Sequence, residues 1–199
     1  MCISNLYKFV KNSNLKNYWI QYKPFLFFLG KFALTYLVLT FIYQGYLNQF
    51  DEKKFEVDGF TQLVAKQTEQ TLLFFNVDAS TELHPSQPSV KLFYNQKYVA
   101  RIIEGCNALS VVILFVAFVV AFTGKLKHTI LFVIGGSLLI HVLNIARIVL
   151  LAAAIFHFPE QESVLHGIVF PLFIYSVVFI LWVIWVNKFS LYAKETAKP

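Results

Sequence analysis

Four long apolar blocks alternate with polar segments along the 199 residues of the chain. Each block approaches the roughly 20 residues that an α-helix needs to cross a hydrocarbon core about 30 Å thick. The blocks cover approximately residues 25–47, 105–122, 129–156 and 165–187. This pattern predicts a mainly α-helical, polytopic membrane protein, in which residues 1–199 form a single integral membrane domain built on a four-helix transmembrane bundle.

The polar segment between the first two blocks, residues 48–104, has a pattern of its own. Residues 58–75 (DGFTQLVAKQTEQTLLFF) place apolar side chains at roughly helical spacing, which predicts an amphipathic helix at the membrane surface. Residues 76–89 are rich in turn formers and are expected to be irregular. Residues 90–103 alternate apolar and polar positions about a polar NQK turn, which indicates a β-hairpin.

Charge predicts how the spans are oriented. The first 31 residues carry five lysines and no acidic residue, whereas ten of the eleven acidic residues lie between Asp51 and Glu104 or at Glu160 and Glu162. Under the positive-inside rule, both termini are therefore cytoplasmic. The insert of residues 48–104 is then extracytoplasmic, on the periplasmic side of the plasma (inner) membrane.

Composition narrows the class further. Charged residues make up only 14% of the chain, whereas a soluble domain is about one quarter charged. The net charge of +6 comes from lysines that flank apolar blocks, so it indicates membrane orientation and not a nucleic-acid partner. The two cysteines, Cys2 and Cys106, make no zinc or disulfide pattern, and the chain has no metal-ligand spacing and no Gly-rich phosphate loop. We therefore expect no metal and no cofactor.

Three polar side chains are expected at one level near the outer surface. Cys106 opens the second predicted span at its outer end, and His166 opens the fourth. Arg147 lies in the third span, about 27 Å along the helix from Thr129 at about 1.5 Å per residue. These positions define depth in the membrane but not lateral proximity.

Each of these residues also has a non-catalytic interpretation. An arginine inside a span costs about 2.5–3.5 kcal/mol on insertion scales, yet Arg147 lies near the boundary, where a long side chain can snorkel. Asn144, three positions earlier on nearly the same helix face, would orient its guanidinium. Cys106 is either a small buried hydrophobe or a nucleophile. His157, also near the outer edge, is the main rival to His166.

A nucleophilic Cys106 has a physical basis. The unpaired backbone N–H groups at a helix start favour the thiolate form of a cysteine. The same groups, together with Arg147, would hold the oxyanion that forms when a carbonyl is attacked. His166 would act as general base to the thiol or as general acid to a leaving amine.

Read in chain order, EGCNALS, NIAR and HG form a set of short motifs on three successive spans: a cysteine in an E-x-C element, an N-x-x-R element and a histidine. The set resembles the exosortase/archaeosortase family, and the short four-span form is most similar to the F-type exosortases of Bacteroidetes. The motifs lie between Tyr98 and His166, and the rest of the chain is similar in hydropathy alone. The family often has Ser or Ala-Gly types after its cysteine, where this chain has Asn107 and Ala108.

The resemblance implies a membrane-embedded cysteine transpeptidase. Family members recognise exported proteins by a C-terminal sorting signal that includes a transmembrane helix. They cleave this signal at the outer face of the membrane and transfer the new C-terminus to a lipid or glycolipid acceptor. The resemblance implies that Cys106, Arg147 and His166 are catalytic. The residues that support them in the same motifs are Glu104, Asn107 and Asn144.

Two other classes of protein remain open. A non-catalytic membrane scaffold or export-machinery subunit would use Arg147 to pair with an acidic residue of a partner helix, and it would not need the thiol of Cys106. A small transporter is less consistent with the sequence, because the polar residues are concentrated at one interface instead of crossing the bilayer.

Overall fold

The structure is a computed structural model that describes residues 3–122 and 124–190, with side chains described from Tyr22 onward except Glu52. The helices are α1 (Ile3–Leu47), α2 (Gly59–Phe74), α3 (Leu109–Ala121), α4 (Leu126–His157), α5 (Glu162–Val164) and α6 (Phe170–Ile184). The strands are β1 (Ala79–Leu83), β2 (Val90–Tyr94) and β3 (Lys97–Ile102). The described part of the chain is therefore mainly helical, as predicted.

Three helical segments are long and apolar enough to cross a membrane: Tyr22–Leu47, Leu126–His157 and Pro159–Phe189. The last of these joins α5 and α6 through a π-helical turn, Leu165–Val169, and ends in a second one, Trp185–Phe189. The three segments coincide with the first, third and fourth predicted spans, which confirms a multi-pass membrane protein. The four-helix bundle and the cytoplasmic position of both termini stay predictions.

The helix in the second apolar block is shorter than the sequence indicated. α3 has 13 residues, which extend about 20 Å at 1.5 Å per residue, less than the thickness of a hydrocarbon core. It begins at Leu109 and not near Gly105, because Ala108 has a left-handed backbone (φ 62°) that interrupts the helix. Cys106 therefore precedes α3, in a 3₁₀ turn over Glu104–Cys106. The expectation that Cys106 occupies the start of this helix is wrong.

The insert contains a short 3₁₀ helix, Glu52–Lys54, the α-helix α2 and a three-stranded antiparallel sheet in the order β1-β2-β3. β2 and β3 are joined by Asn95 and Gln96, whose φ angles of 48° and 61° suit a tight two-residue hairpin turn. The expectation that residues 76–89 are irregular is wrong for Ala79–Leu83, which pairs with β2. β1 is a five-residue edge strand in which most side chains are exposed, so it lacks the apolar alternation of a buried strand.

Helix α2 matches the predicted amphipathic helix. Asp58 caps it by accepting a hydrogen bond from the N–H of Thr61 at 2.9 Å. On the buried face, Glu69 accepts hydrogen bonds from Lys66, at 2.6 Å, and from the hydroxyl of Thr81 on β1. Burial alone would raise the pKa of Glu69, but the hydrogen bonds from Lys66 and Thr81 outweigh it and lower the pKa. Glu69 therefore remains a charged acceptor that fixes α2 to the sheet.

Two apolar cores meet on α4. The first joins α2, the sheet and the C-terminal half of α4 through buried residues that include Leu72, Leu92 and Ala152. The second joins α3, the N-terminal half of α4 and the α6 region, with Phe115 and Trp185 fully buried. At 32 residues, α4 is about 48 Å long and exceeds a hydrocarbon core. The N-terminal half of α4 therefore packs against α3 and the α6 region, while the C-terminal half packs against the insert.

Helices α3 and α4 approach closely at Gly136, and this contact yields a prediction. A β-carbon at Gly136 would lie 2.7 Å from Cε1 of the buried Phe115 ring, whereas one at Gly135 would meet nothing within 4 Å. We expect Gly136→Ala to lower the midpoint of thermal unfolding, because overpacking a core costs about 1–3 kcal/mol. Gly135→Ala is the matched control and should show no decrease. Equal midpoints for the two variants would contradict this packing.

Candidate active site

The candidate nucleophile lies on a short connection that we call the cysteine strap, residues 104–108. The strap joins the end of β3 to the start of α3. Within it, the N–H of Cys106 donates to the carbonyl of Ile103 at 2.8 Å, and the N–H of Asn107 donates to the carbonyl of Glu104 at 3.1 Å. The thiol of Cys106 is free and half-buried. A folded turn, and not a mobile loop, thus carries the thiol.

Asn144 attaches the strap to α4. Its side chain is fully buried, and its Nδ2 donates a hydrogen bond to the carbonyl oxygen of Cys106 at 2.8 Å. Its Oδ1 is also buried and has no hydrogen-bond partner among the described residues. Asn144 was expected to orient Arg147, but the hydrogen bond that it makes holds the backbone of Cys106.

Cys106, Arg147 and His166 line one cavity of about 240 Å³. The cavity lies between the end of β3, the C-terminal half of α4 and the segment that precedes α6. Its apolar wall comprises Ile148, Leu151 and Ile155 on α4. The sequence predicted that the three polar residues share a depth, and packing also brings them together laterally. Among the described residues, no hydrogen bond joins any two of the three.

Arg147 contributes a donor that no acceptor in the described part of the chain satisfies. It is half-buried on α4, one turn after Asn144, and its Nε is buried without a hydrogen-bond acceptor among the described residues. A buried N–H group left unpaired costs about 1–3 kcal/mol. Such a group on the wall of a cavity is suited to donate a hydrogen bond to a ligand oxygen, because the ligand would supply the missing acceptor.

The structure distinguishes the two candidate histidines by position. His166 lies in the π-helical turn Leu165–Val169 and lines the cavity, and π-helical turns occur often at functional sites. His157 is exposed at the end of α4, where its ring lies 5.1 Å from that of Phe156 and 6.4 Å from that of Tyr94. His157 does not line the cavity, so the geometry favours His166 for the histidine role.

The side chains of Glu104 and Asn107 reach into neighbouring helices and are not among the residues that line this cavity. Glu104 accepts a hydrogen bond from the hydroxyl of Tyr43 on α1. Asn107 donates from Nδ2 to Thr61 on α2, at 3.0 Å, and to the hydroxyl of Tyr43, at 3.3 Å. Both residues therefore support the strap. No sequence pattern pointed to Tyr43 or Thr61, since they are 46 or more positions away from the residues that they contact.

Two charged residues in the cavity wall were not among the predicted site residues. Glu162 lies four positions before His166, one helical turn away, and this spacing was visible in the sequence. Arg101, at the end of β3, also donates to the side chain of Gln87. Both arginines of the chain thus line the same cavity. Two guanidinium groups against one carboxylate make the cavity favourable to an anion or an oxyanion.

Fold and site together define a multi-pass membrane protein with a cavity that gathers a thiol, a guanidinium and an imidazole beside an extramembrane insert. A family model described as transmembrane exosortase (Exosortase_EpsH) matches residues 19–186. The chain therefore belongs to the transmembrane exosortase family, which supports a transpeptidase-like role in a membrane. No curated protein and no solved structure matches the chain. The more specific similarity to F-type exosortases stays a prediction.

The contact between Asn144 and the strap yields a prediction. In Asn144→Leu the carbonyl of Cys106 loses its side-chain partner, so we expect a stability loss of about 1–3 kcal/mol, the cost of a buried unpaired polar group. The measurement is the midpoint of thermal unfolding in detergent. Asn187→Leu, at an exposed position near the end of the C-terminal helix, is the control and should change little. A midpoint unchanged by Asn144→Leu would show that the strap does not depend on this bond.

Proposed function

We propose that the protein is a cysteine transpeptidase of the inner membrane. It cleaves C-terminal sorting signals from exported proteins and transfers the new C-terminus of each processed protein to a membrane lipid or glycolipid. The observation that carries this proposal is the shared cavity of Cys106, Arg147 and His166. Family membership supports it, because the match covers all three positions. The similarity of the motifs to F-type exosortases suggests the class of substrate.

In the first step, His166 takes the proton from Cys106, and Sγ attacks the carbonyl carbon of the scissile peptide bond. Arg147 is suited to donate from its buried Nε to the oxyanion that develops. The carbon–nitrogen bond then breaks, and His166 returns the proton to the leaving amine. The exported protein is now held as a thioester on Cys106, and the C-terminal helix of the signal is released.

In the second step, an amine or hydroxyl of the acceptor attacks the thioester carbonyl. Its proton passes to His166, the carbon–sulfur bond breaks, and the Cys106 thiolate leaves. Water in place of the acceptor would give hydrolysis. The same cavity serves both steps, because the oxyanion forms at the same carbon each time.

The position of the cavity supports a substrate that arrives from the bilayer. The part of α4 that precedes Asn144 exposes apolar side chains, among them Leu131, Leu138 and Val142. A substrate helix lying along such a surface in lipid would bring the end of its apolar stretch to the level of Arg147. The lysines of the N-terminus, of the link between the second and third spans and of the C-terminal tail support an outer location for the cavity, because Lys-rich segments next to spans stay on the cytoplasmic side.

We predict that Cys106→Ala abolishes processing of a set of exported proteins. Mass spectrometry of surface-protein C-termini should find intact C-terminal helices in cells with Cys106→Ala and processed ends in cells with the unsubstituted protein. The processed ends would also identify the recognition motif and the acceptor. Cys2→Ala, which removes the other thiol of the chain, is the control and should process normally.

The scaffold alternative makes the opposite prediction for the thiol. If the protein uses Arg147 to pair with a partner helix, Cys106→Ala leaves all C-termini unchanged at equal protein abundance. Arg147→Ala would then be the substitution that removes function. That pair of results would reject the transpeptidase and favour the scaffold.

A further inference from the structure

The cysteine strap is held on the side away from the cavity by a buried polar network. Asn107 is 2% exposed, and every hydrogen-bonding atom of its amide has a partner. Its Oδ1 accepts from the N–H of Leu109 at 2.9 Å, and its Nδ2 donates to Thr61 and Tyr43. Such a saturated amide has one conformation available, so it fixes the backbone on which it sits.

Tyr43 connects this network to the first membrane span. The residue is 8% exposed, and its hydroxyl donates to the carboxylate of Glu104 while it accepts from Asn107. Glu104 and Asn107 flank Gly105 and Cys106 in the chain. The Tyr43 hydroxyl on α1 therefore makes hydrogen bonds to the strap both before and after Cys106 in the chain.

The strap needs such support because its backbone is strained. Ala108 has a left-handed φ of 62° and is buried, and this conformation costs a non-glycine residue about 1–2 kcal/mol. Strained residues persist where their surroundings impose them, and they are common at functional sites. Here the network through Asn107, one position earlier, supplies that constraint.

We propose that Tyr43 is a positioning residue for the Cys106 nucleophile, acting through Glu104 and Asn107, with Thr61 as the second support of the same amide. This inference rests on the proposed function, because it assigns Tyr43 and Thr61 to the transpeptidase site. Neither residue lines the cavity of Cys106. Their contribution is to hold the thiol at a constant place relative to Arg147 and His166.

The chain provides a closely matched control. Tyr46 lies one turn after Tyr43 on the same helix, and the two rings stack with centroids 6.4 Å apart. Its hydroxyl also bonds to a neighbouring segment, since it accepts from the N–H of Phe60 at 3.3 Å, but it makes no bond to the strap. Tyr43→Phe removes the two hydrogen bonds that join α1 to the strap, whereas Tyr46→Phe removes one hydrogen bond that joins α1 to α2. Only the first substitution therefore affects the strap.

The test measures hydrogen exchange of the full-length protein in lipid nanodiscs together with processing of exported proteins in cells. In Tyr43→Phe we expect the amides of Cys106 and Asn107 to exchange at least about tenfold faster, as for the loss of a hydrogen bond to a charged group. We expect processing to slow by a similar factor at equal abundance. In Tyr46→Phe, faster exchange should be confined to Phe60, and processing should be unchanged.

A second pair of variants on α2 tests the other support. Thr61→Val removes the hydroxyl that accepts from Asn107, and it should act in the same direction as Tyr43→Phe, whereas Thr61→Ser keeps the hydroxyl and should restore the unsubstituted behaviour. Thr68→Val is the control, because the Thr68 hydroxyl is also fully buried but bonds to its own helix, at Val64.

Three results would overturn the proposal. The first is an equal rate of hydrogen exchange in the strap for Tyr43→Phe and Tyr46→Phe, which would show that Tyr43 contributes only packing between helices. The second is faster exchange in Tyr43→Phe with normal processing, which would show that the reaction does not need the strap to be held. The third is normal processing in Cys106→Ala, which would remove the nucleophile itself and reject the proposed function as well. The Cys106→Ala result separates this last case from the first two.

Discussion

The site depends on how the backbone of Cys106 is held between α4 on one side and α1 and α2 on the other. On one side a fully buried amide, that of Asn144, donates to the Cys106 carbonyl at 2.8 Å. On the other side the amide of Asn107 is saturated by Tyr43, Thr61 and the start of α3. Releasing either amide would leave buried polar groups unpaired, at about 1–3 kcal/mol each. The strap can therefore keep a strained residue, Ala108, beside the thiol.

The length of α4 explains why the site forms where it does. Its N-terminal half packs against α3 and the α6 region, and its C-terminal half packs against α2 and the sheet. Asn144 and Arg147 lie where these two cores meet. The strap approaches the same place from the sheet, and the π-helical turn with His166 approaches it from the C-terminal helix. A helix as short as a single span could not have presented both surfaces.

Much of this architecture could be predicted from local pattern, because apolar length and helical periodicity are properties of neighbouring residues. These two local properties were enough to predict three of the spans and helix α2. They were not enough for the start of α3: the apolar run continues through the second block, and the break at Ala108 is imposed by residues of α1 and α2. Strand β1 was missed for a related reason, since an exposed edge strand is defined by its partner β2 and not by its own side chains.

The candidate site, like the fold, combines features that a local sequence pattern could predict with features that it could not. Depth along a helix follows from residue count, so Cys106, Arg147 and His166 could be placed at one level. Their shared cavity depends on how α4 packs against the sheet and the C-terminal helix, which no local pattern encodes. Tyr43 and Thr61 could not be found at all, because their hydroxyls meet Asn107 across 64 and 46 positions of sequence. Glu162 could have been predicted from the sequence, because it lies four positions before His166.

A cysteine transpeptidase of this kind requires that an exported protein acylate Cys106, and that thioester bond can be detected. Cells that express a substrate would be quenched in acid, which preserves thioesters, and the peptide that contains Cys106 would be analysed by mass spectrometry before and after treatment with hydroxylamine. We expect an adduct on Cys106 that carries the processed end of an exported protein and is released by hydroxylamine. A Cys106 peptide that stays unmodified while processing proceeds would contradict the proposed function.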